Sequence, residues 1–140
     1  MLPARSEDPG NYVLLDAHHG PAVLLQCSRP VPEPLRGTWQ PSAADIKALE
    51  ANLPRIQQLA SDAFVKDVRK YYRQYVGVII GNRKLIYINA FAIPPIDGNE
   101  RERPWREQPI FTCDGGRLYW GAVYDPETNL FSDLAFNGEA

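Results

Sequence analysis

The chain has 140 residues and a net charge of −2, which predicts one domain with a sizeable hydrophobic core. Hydrophobic residues make up 44% and charged residues 23% of it, as in ordinary globular proteins. The charge balance argues against nucleic acid or an anionic membrane as a partner. No apolar run reaches the roughly 20 residues that a membrane-spanning helix requires. The composition therefore leaves small molecules and other proteins as the classes of partner.

The first part of the chain, residues 1–36, is predicted to be an extended N-terminal segment with short strands. Apolar runs at residues 12–15 and 22–25 lie on either side of a Gly-Pro pair, which is a strong turn signal. This pattern is typical of a small hairpin or an edge strand. Prolines at alternate positions between residues 30 and 34 prevent both a helix and a central strand. We expect an extended connector there.

The clearest helix in the sequence begins after Ser42. Serine is a favourable N-cap residue, and Asp45 lies where the acidic residue of a capping box belongs. Pro54 interrupts the helix, because proline lacks the main-chain donor and crowds the preceding turn. The pattern predicts either a kink or a first helix that ends near Asn52 and a second that starts with Pro54. The apolar side chains of this region follow helical spacing at Ile46, Leu49, Leu53, Ile56 and Leu59.

The rest of the chain reads as strands. Residues 71–80 and 85–93 predict a hairpin around a polar loop. The stretch from Ile110 to Gly138 reads as three further strands that are joined by two turns. A helix followed by a five-stranded meander is typical of an α+β fold. We therefore expect residues 37–140 to form a single α+β domain, with the helix packed on a curved antiparallel sheet. By analogy of architecture alone, this layout is that of a cystatin-like roll.

Several short motifs of core and turn residues are spread along the chain from residue 37 to residue 138. With these motifs the chain resembles a group of small proteobacterial proteins that usually begin with a secretion signal and to which no catalytic role is assigned. The resemblance implies export and carries no site residue. The motifs are Gly37-Thr38-Trp39 with Pro41, Arg73-Gln74-Tyr75-Val76-Gly77, Tyr87-Ile88-Asn89-Ala90-Phe91, Cys113-Asp114-Gly115-Gly116, Trp120-Gly121 with Tyr124-Asp125, and Phe136-Asn137-Gly138.

The N-terminus shows no apolar leader, since Met1-Leu2-Pro3 runs directly into polar residues. Two expectations follow. The protein is either a periplasmic or secreted mature form whose leader was replaced by a starting methionine, or it is cytoplasmic. We favour the first because of the resemblance and the two cysteines.

The two cysteines, Cys27 and Cys113, are far apart in the sequence. In an oxidising compartment they would pair, and the entropy model gives such a loop about 4–5 kcal/mol of stabilisation. The bridge would tie the N-terminal segment to the C-terminal sheet. The alternative is a pair of buried free thiols. Their spacing fits no zinc motif, and the sequence predicts neither a metal site nor a cofactor.

A charged loop between residues 97 and 108 is the best candidate for contact with a partner protein. Tryptophan and arginine are the residue types that most often anchor protein interfaces. The alternative is a solvated loop with its tryptophan packed on the core. The candidate partner-binding residues are Arg101, Arg103, Trp105 and Arg106.

Two acidic residues, Asp114 and Asp125, lie at predicted strand ends. Acids in such places can perform general acid–base catalysis, here in a pocket between the helix and the sheet. Both also belong to turn sequences, where aspartate has a conformational role. The sequence leaves both interpretations open.

The leading hypothesis for function is a small exported domain that binds another protein. Its most concrete form is a periplasmic inhibitor or immunity protein that blocks a secreted hydrolase or toxin. One alternative is a small-ligand binder or hydrolase-like enzyme that uses Asp114 or Asp125. Another is a structural envelope protein.

Overall fold

The computed structural model describes residues 10–96 and 101–139, which form an α+β fold composed mostly of sheet. Two helices, α1 (Gly20–Val23) and α2 (Ala43–Asn52), accompany the sheet, and a 3-10 segment (Leu53–Leu59) follows α2 directly. The six strands in this part of the chain are β1 (Tyr12–Leu14), β2 (Leu35–Thr38), β3 (Tyr72–Ile80), β4 (Arg83–Phe91), β5 (Tyr119–Asp125) and β6 (Leu130–Phe136).

The sheet is an antiparallel meander of β3, β4, β5 and β6, to which the N-terminal segment adds two short strands. Strand β1 pairs in parallel with residues 73–75 of β3, and β2 pairs antiparallel with residues 78–80 of the same strand. Both short strands therefore lie along one edge of β3. At the other edge, β5 is the strand that pairs with β6 among the described residues. A register shift divides β6, and Asp133 has a left-handed φ of 54° at that point.

Two sequence predictions for the strands were wrong. Residues 110–115 are irregular and do not form the first strand of the C-terminal stretch. The reason is that side chains of the sheet form hydrogen bonds with the amide and the carbonyl of Ile110, which are then not available to a neighbouring strand. The second apolar run near the N-terminus begins with the end of helix α1, so no hairpin forms there, whereas the first run forms the edge strand β1 that was the other outcome. Pro21 lies in the first turn of α1, where its missing donor costs nothing. The closer analogy with a cystatin-like roll stays an expectation.

The local signals of the main helix are confirmed. The Ser42 hydroxyl accepts a hydrogen bond from the Asp45 amide at 3.1 Å, and the Asp45 carboxylate accepts one from the Ser42 amide at 2.8 Å. Helix α2 ends at Asn52, and Pro54 lies near the start of the 3-10 segment. This is the second of the two outcomes that the proline predicted.

One face of the sheet packs against α2 and the 3-10 segment. Leu49, Leu53 and Ile56 are fully buried there. Their partners on the sheet are apolar and aromatic side chains, so hydrocarbon fills the space between the helical layer and the sheet. The main sheet residues of this core are Tyr75, Ile86, Ile88, Ala90, Trp120, Ala122 and Tyr124.

The opposite face carries a second layer with much less regular structure. Val76, Val78, Tyr87 and Val123 alternate with the residues of the first face and pack with Val23 of α1. Further along the same face, Phe91 packs with Trp105 and Ile110 of the long connection between β4 and β5. The N-terminal connector and this long connection together form what we call the cap, defined as residues 20–34 and 101–116.

Four tyrosines buried in these cores make stability sensitive to alkaline pH. Burial raises the pKa of Tyr71, Tyr75, Tyr87 and Tyr124. Above a pH of about 10 the unfolded chain releases these phenolic protons while the folded chain retains them. Between that pH and its raised pKa in the folded protein, each such tyrosine lowers the free energy of unfolding by about 1.4 kcal/mol per pH unit, and it contributes nothing below that pH.

We therefore expect stability to fall steeply above a pH of about 10. Urea unfolding at a series of alkaline pH values measures this slope, and phenolate absorbance shows which of the seven tyrosines ionise in the folded protein. A slope below one proton per molecule would contradict the assignment.

Candidate functional site

A row of polar side chains lies buried on the cap side of the sheet. Gln74 of β3, Asn89 of β4 and Gly121 of β5 are direct cross-strand neighbours. Gln74 is 0% exposed, and Asn89 is also buried. Buried amides of this kind are costly unless their donors and acceptors are all paired.

The amides pair with the main chain of the cap. Gln74 donates through Nε2 to the carbonyls of Trp105 at 2.7 Å and Gln108 at 2.6 Å. Its Oε1 accepts from the Ile110 amide at 3.1 Å and from Asn89 Nδ2 at 3.0 Å. Asn89 Nδ2 also donates to the Ile110 carbonyl at 2.7 Å. Two side chains of the sheet thus replace the ladder hydrogen bonds that the irregular cap lacks.

Arg29 enters this row from the N-terminal connector and is buried. It donates through Nε to the Tyr87 hydroxyl at 3.1 Å, through Nη2 to Asn89 Oδ1 at 2.6 Å and through Nη1 to Asn137 Oδ1 at 3.0 Å. These three acceptors are neutral oxygens. A β-carbon on Gly121 would overlap the Tyr87 hydroxyl and lie 2.8 Å from Arg29 Nε. Arg29 therefore fits beside β5 only because residue 121 is a glycine.

A disulfide between Cys27 and Cys113 joins the two segments of the cap, with 5.3 Å between the Cα atoms. Of the two alternatives, the bridge is therefore confirmed over free thiols. Ser28 reinforces the junction, since its hydroxyl accepts from the Asp114 amide and donates to Asp114 Oδ1 at 3.3 Å. The Ser28 carbonyl accepts from the Gly138 amide at 2.9 Å.

The predicted partner-binding loop is rigidly anchored through its tryptophan. Trp105 is only 5% exposed, and its ring meets those of Tyr72 and Phe91 edge to face, with centroids 5.3 Å and 5.8 Å away. Arg106 lies over the indole at 4.3 Å and donates to the carbonyls of Gly10 at 2.7 Å and Tyr12 at 3.1 Å. Trp105 therefore packs on the core, as the alternative interpretation held.

The other arginines of the loop differ in exposure. Arg101 is exposed, whereas Arg103 is partly buried, and its Nε has no hydrogen-bond partner among the described residues. The four predicted residues thus lie on one loop, but only Arg101 and Arg106 belong to its exposed surface. Their role in partner binding stays a prediction.

The two candidate acids lie at opposite ends of β5. Asp114 precedes the strand, has a φ of 63° and pairs with Ser28. Asp125 is the last residue of β5, is buried, forms an ion pair with Arg83 and accepts from the Glu127 amide at 2.9 Å. An open polar depression of roughly 470 Å³ beside Asp125 lies at the two β-turns. The two acids therefore lie apart, and Asp125 pairs with main-chain and side-chain groups at the turns. Their role as pocket acids stays a prediction.

A buried charge cluster joins α2 to the sheet, and the sequence analysis did not find it. Arg73 Nη2 donates to both carboxylate oxygens of Glu50 at 3.1 Å and 3.0 Å, and its Nε donates to the Tyr75 hydroxyl at 2.8 Å. Burial alone would lower the pKa of Arg73, but Tyr75 and Glu50 together outweigh that effect, so its pKa lies above the usual value. Burial raises the pKa of Tyr75 well above its usual value. The available signal was a charged residue, Arg73, inside a strand that is mostly apolar.

No family model matches the chain, and neither a curated protein nor a solved structure with significant similarity was found. Within residues 10–96 and 101–139, no group of three or more histidine, cysteine or acidic side chains is placed to hold a metal ion. None of the helices in the same ranges has the length and apolar character needed to cross a membrane.

Replacing the central amide tests whether it holds the cap. We expect Gln74→Leu to lower the free energy of unfolding by about 3 kcal/mol, because the Ile110 amide and two carbonyls lose their partner. Hydrogen exchange should show that the Ile110 amide loses protection. The matched control is Gln58→Leu on the exposed side of the 3-10 segment, for which we expect little change. Unchanged protection at Ile110 in Gln74→Leu would contradict the assignment.

The tight approach at Gly121 gives a second test. We expect Gly121→Ala to cost about 2 kcal/mol through overlap with the Tyr87 hydroxyl and Arg29. Removing that hydroxyl with Tyr87→Phe relieves part of the overlap. The double variant should therefore be more stable than the sum of the single effects predicts, by about 1 kcal/mol in a double-mutant cycle. Strict additivity would show that the two residues are not coupled.

Proposed function

We propose that this protein is a small exported domain that binds another protein, and that it inhibits a secreted or periplasmic hydrolase. The observation that carries the proposal is the fixed main chain of the loop around Trp105. Gln74 binds that loop at two carbonyls, and the indole is wedged against two aromatic rings. A loop ordered before binding loses little entropy when a partner arrives.

The exposed surface of the loop has the chemistry of a protein interface. The exposed residues Arg101, Glu102, Arg106 and Glu107 flank the buried Trp105 in the sequence, and Arg106 lies over its indole. Arginine is among the residues that most often contribute large binding energies. Inhibitors of hydrolases typically keep their main-chain conformation on binding, which is consistent with a loop that the sheet already holds in place.

Export is supported by the bridge between Cys27 and Cys113. Disulfides form and persist in oxidising compartments such as the periplasm and the extracellular space, and they are rare in the cytosol. The proposal therefore places the protein where secreted hydrolases act.

Inhibition assays against a panel of secreted glycan hydrolases and proteases test the proposal. We expect at least one enzyme to be inhibited at a stoichiometric concentration of the protein. The variant Arg101→Ala/Arg106→Ala should raise the inhibition constant about tenfold or more, because arginine anchors commonly contribute more than 1 kcal/mol. Near-ultraviolet circular dichroism checks that its tertiary packing is intact.

The matched control is Arg36→Ala/Arg55→Ala, which removes two exposed arginines from β2 and from the 3-10 segment. This variant should inhibit as well as the wild type. A panel in which no enzyme is inhibited would overturn the inhibitor hypothesis. Inhibition that survives Arg101→Ala/Arg106→Ala would show that the loop is not the contact surface.

A further inference from the structure

The disulfide of the cap lies at the surface, since both Cys27 and Cys113 are exposed. An exposed apolar residue precedes each cysteine by two positions. Leu25 is 73% exposed and Phe111 is 56% exposed. Gln26 Nε2 donates to the Ile110 carbonyl at 3.4 Å, so the two segments run side by side. Two exposed apolar side chains therefore lie within two residues of the bridge, one on each of the joined segments.

Exposure decides how a disulfide reacts. A thiolate must reach one sulfur directly, so buried disulfides resist exchange while exposed ones are open to it. Apolar residues beside an exposed disulfide would let a protein thiol dock rather than collide at random. We propose that the Cys27–Cys113 disulfide is a substrate for a dithiol oxidoreductase with a Cys-Xaa-Xaa-Cys motif, which docks on Leu25 and Phe111 and reduces the bond in the folded protein.

The neighbours of the two sulfurs fix the direction of the exchange. In the oxidised protein the Ser28 hydroxyl donates its one proton to Asp114 Oδ1. It also lies 3.8 Å from the Cys27 sulfur, so it can rotate to donate to a thiolate that forms there, which favours a thiolate on Cys27. The carboxylate of Asp114 follows Cys113 directly and disfavours a thiolate on that side. The attacking thiolate therefore bonds to the Cys113 sulfur, and Cys27 leaves with the electron pair and takes up a proton.

The second half of the exchange balances the reaction. The other cysteine of the oxidoreductase attacks the mixed disulfide and bonds to its own partner. Cys113 leaves as a thiolate and is protonated. Two electrons have then moved from the dithiol to the cap, and the oxidoreductase carries the disulfide.

Non-covalent contacts keep the cap in place after reduction. Ser28 is bonded to Asp114 and to the Gly138 amide, while Arg29 is bonded to Tyr87, Asn89 and Asn137. Ser28 and Arg29 follow Cys27 directly and Asp114 follows Cys113. The bonds of Arg29 and of the Ser28 carbonyl do not involve either sulfur. The reduced thiols therefore stay close together, so the bond can form again without refolding.

Reduction kinetics without denaturant test the proposal, with a purified thioredoxin-class dithiol protein and with dithiothreitol in separate reactions. Alkylation and mass spectrometry count the free thiols. The variant Leu25→Ser/Phe111→Ser should slow the protein-catalysed reaction about tenfold, which corresponds to about 1.4 kcal/mol of docking energy. Its reduction by dithiothreitol should match that of the wild type. The control is Leu130→Ser, which removes a 59% exposed leucine from β6 and should leave both rates unchanged.

Three results would overturn the proposal. One is a protein-catalysed rate no greater than that of dithiothreitol at equal thiol concentration. Another is a protein-catalysed rate that Leu25→Ser/Phe111→Ser does not change. The third is a rate that becomes independent of thiol concentration and rises steeply in mild urea, because the bond would then open only on unfolding. A Cys-Xaa-Xaa-Ser form of the oxidoreductase should trap a mixed disulfide on Cys113, and trapping on Cys27 would overturn the assigned direction.

Discussion

The hydrogen bonds of two buried side-chain amides determine where the cap lies on the sheet. A segment that crosses the face of a sheet cannot join its ladder, and each main-chain group that it buries unpaired costs free energy. Gln74 and Asn89 supply the missing partners to the cap at Trp105, Gln108 and Ile110. The positions of the indole, the charged loop and the disulfide all depend on these contacts.

The two faces of the sheet are stabilised by different kinds of interaction. On the helical side, Leu49, Leu53 and Ile56 pack into hydrocarbon, an interaction that tolerates substitutions of similar volume. On the cap side, Arg29 and the amides form a polar network in which each partner is needed, because a half-paired network is worse than an apolar one. The charged loop and the disulfide are thus attached to the cap side of the sheet, where the interactions are the more specific.

The elements that the sequence predicted well are those with local causes. The capping box at Ser42 and the break at Pro54 depend on neighbours within a few residues, and so does the hairpin of β3 and β4. The strand predicted after Ile110 failed because β-branched and aromatic residues favour a strand only if a neighbouring strand is available. The amides that bind this segment instead are 36 and 21 residues away in the sequence.

In the candidate site, too, the sequence predicted only the features that have local signals. The cysteine pair was one of two open alternatives, and the loop of arginines was found by composition. Nothing local indicated that Arg29 is buried among neutral oxygens, or that Arg73 is bound by Glu50. Both depend on contacts across 23 residues or more, and a pattern of residue types carries no record of them.

The irregularity in β6 has a consequence for the behaviour of the protein at high concentration. A strand with a free edge presents main-chain donors and acceptors on which another chain can align and begin a fibre. In this protein the left-handed residue Asp133 shifts the register in the middle of that edge. An approaching strand meets only short regular stretches on either side and a carboxylate between them. The edge is therefore a poor template for aggregation.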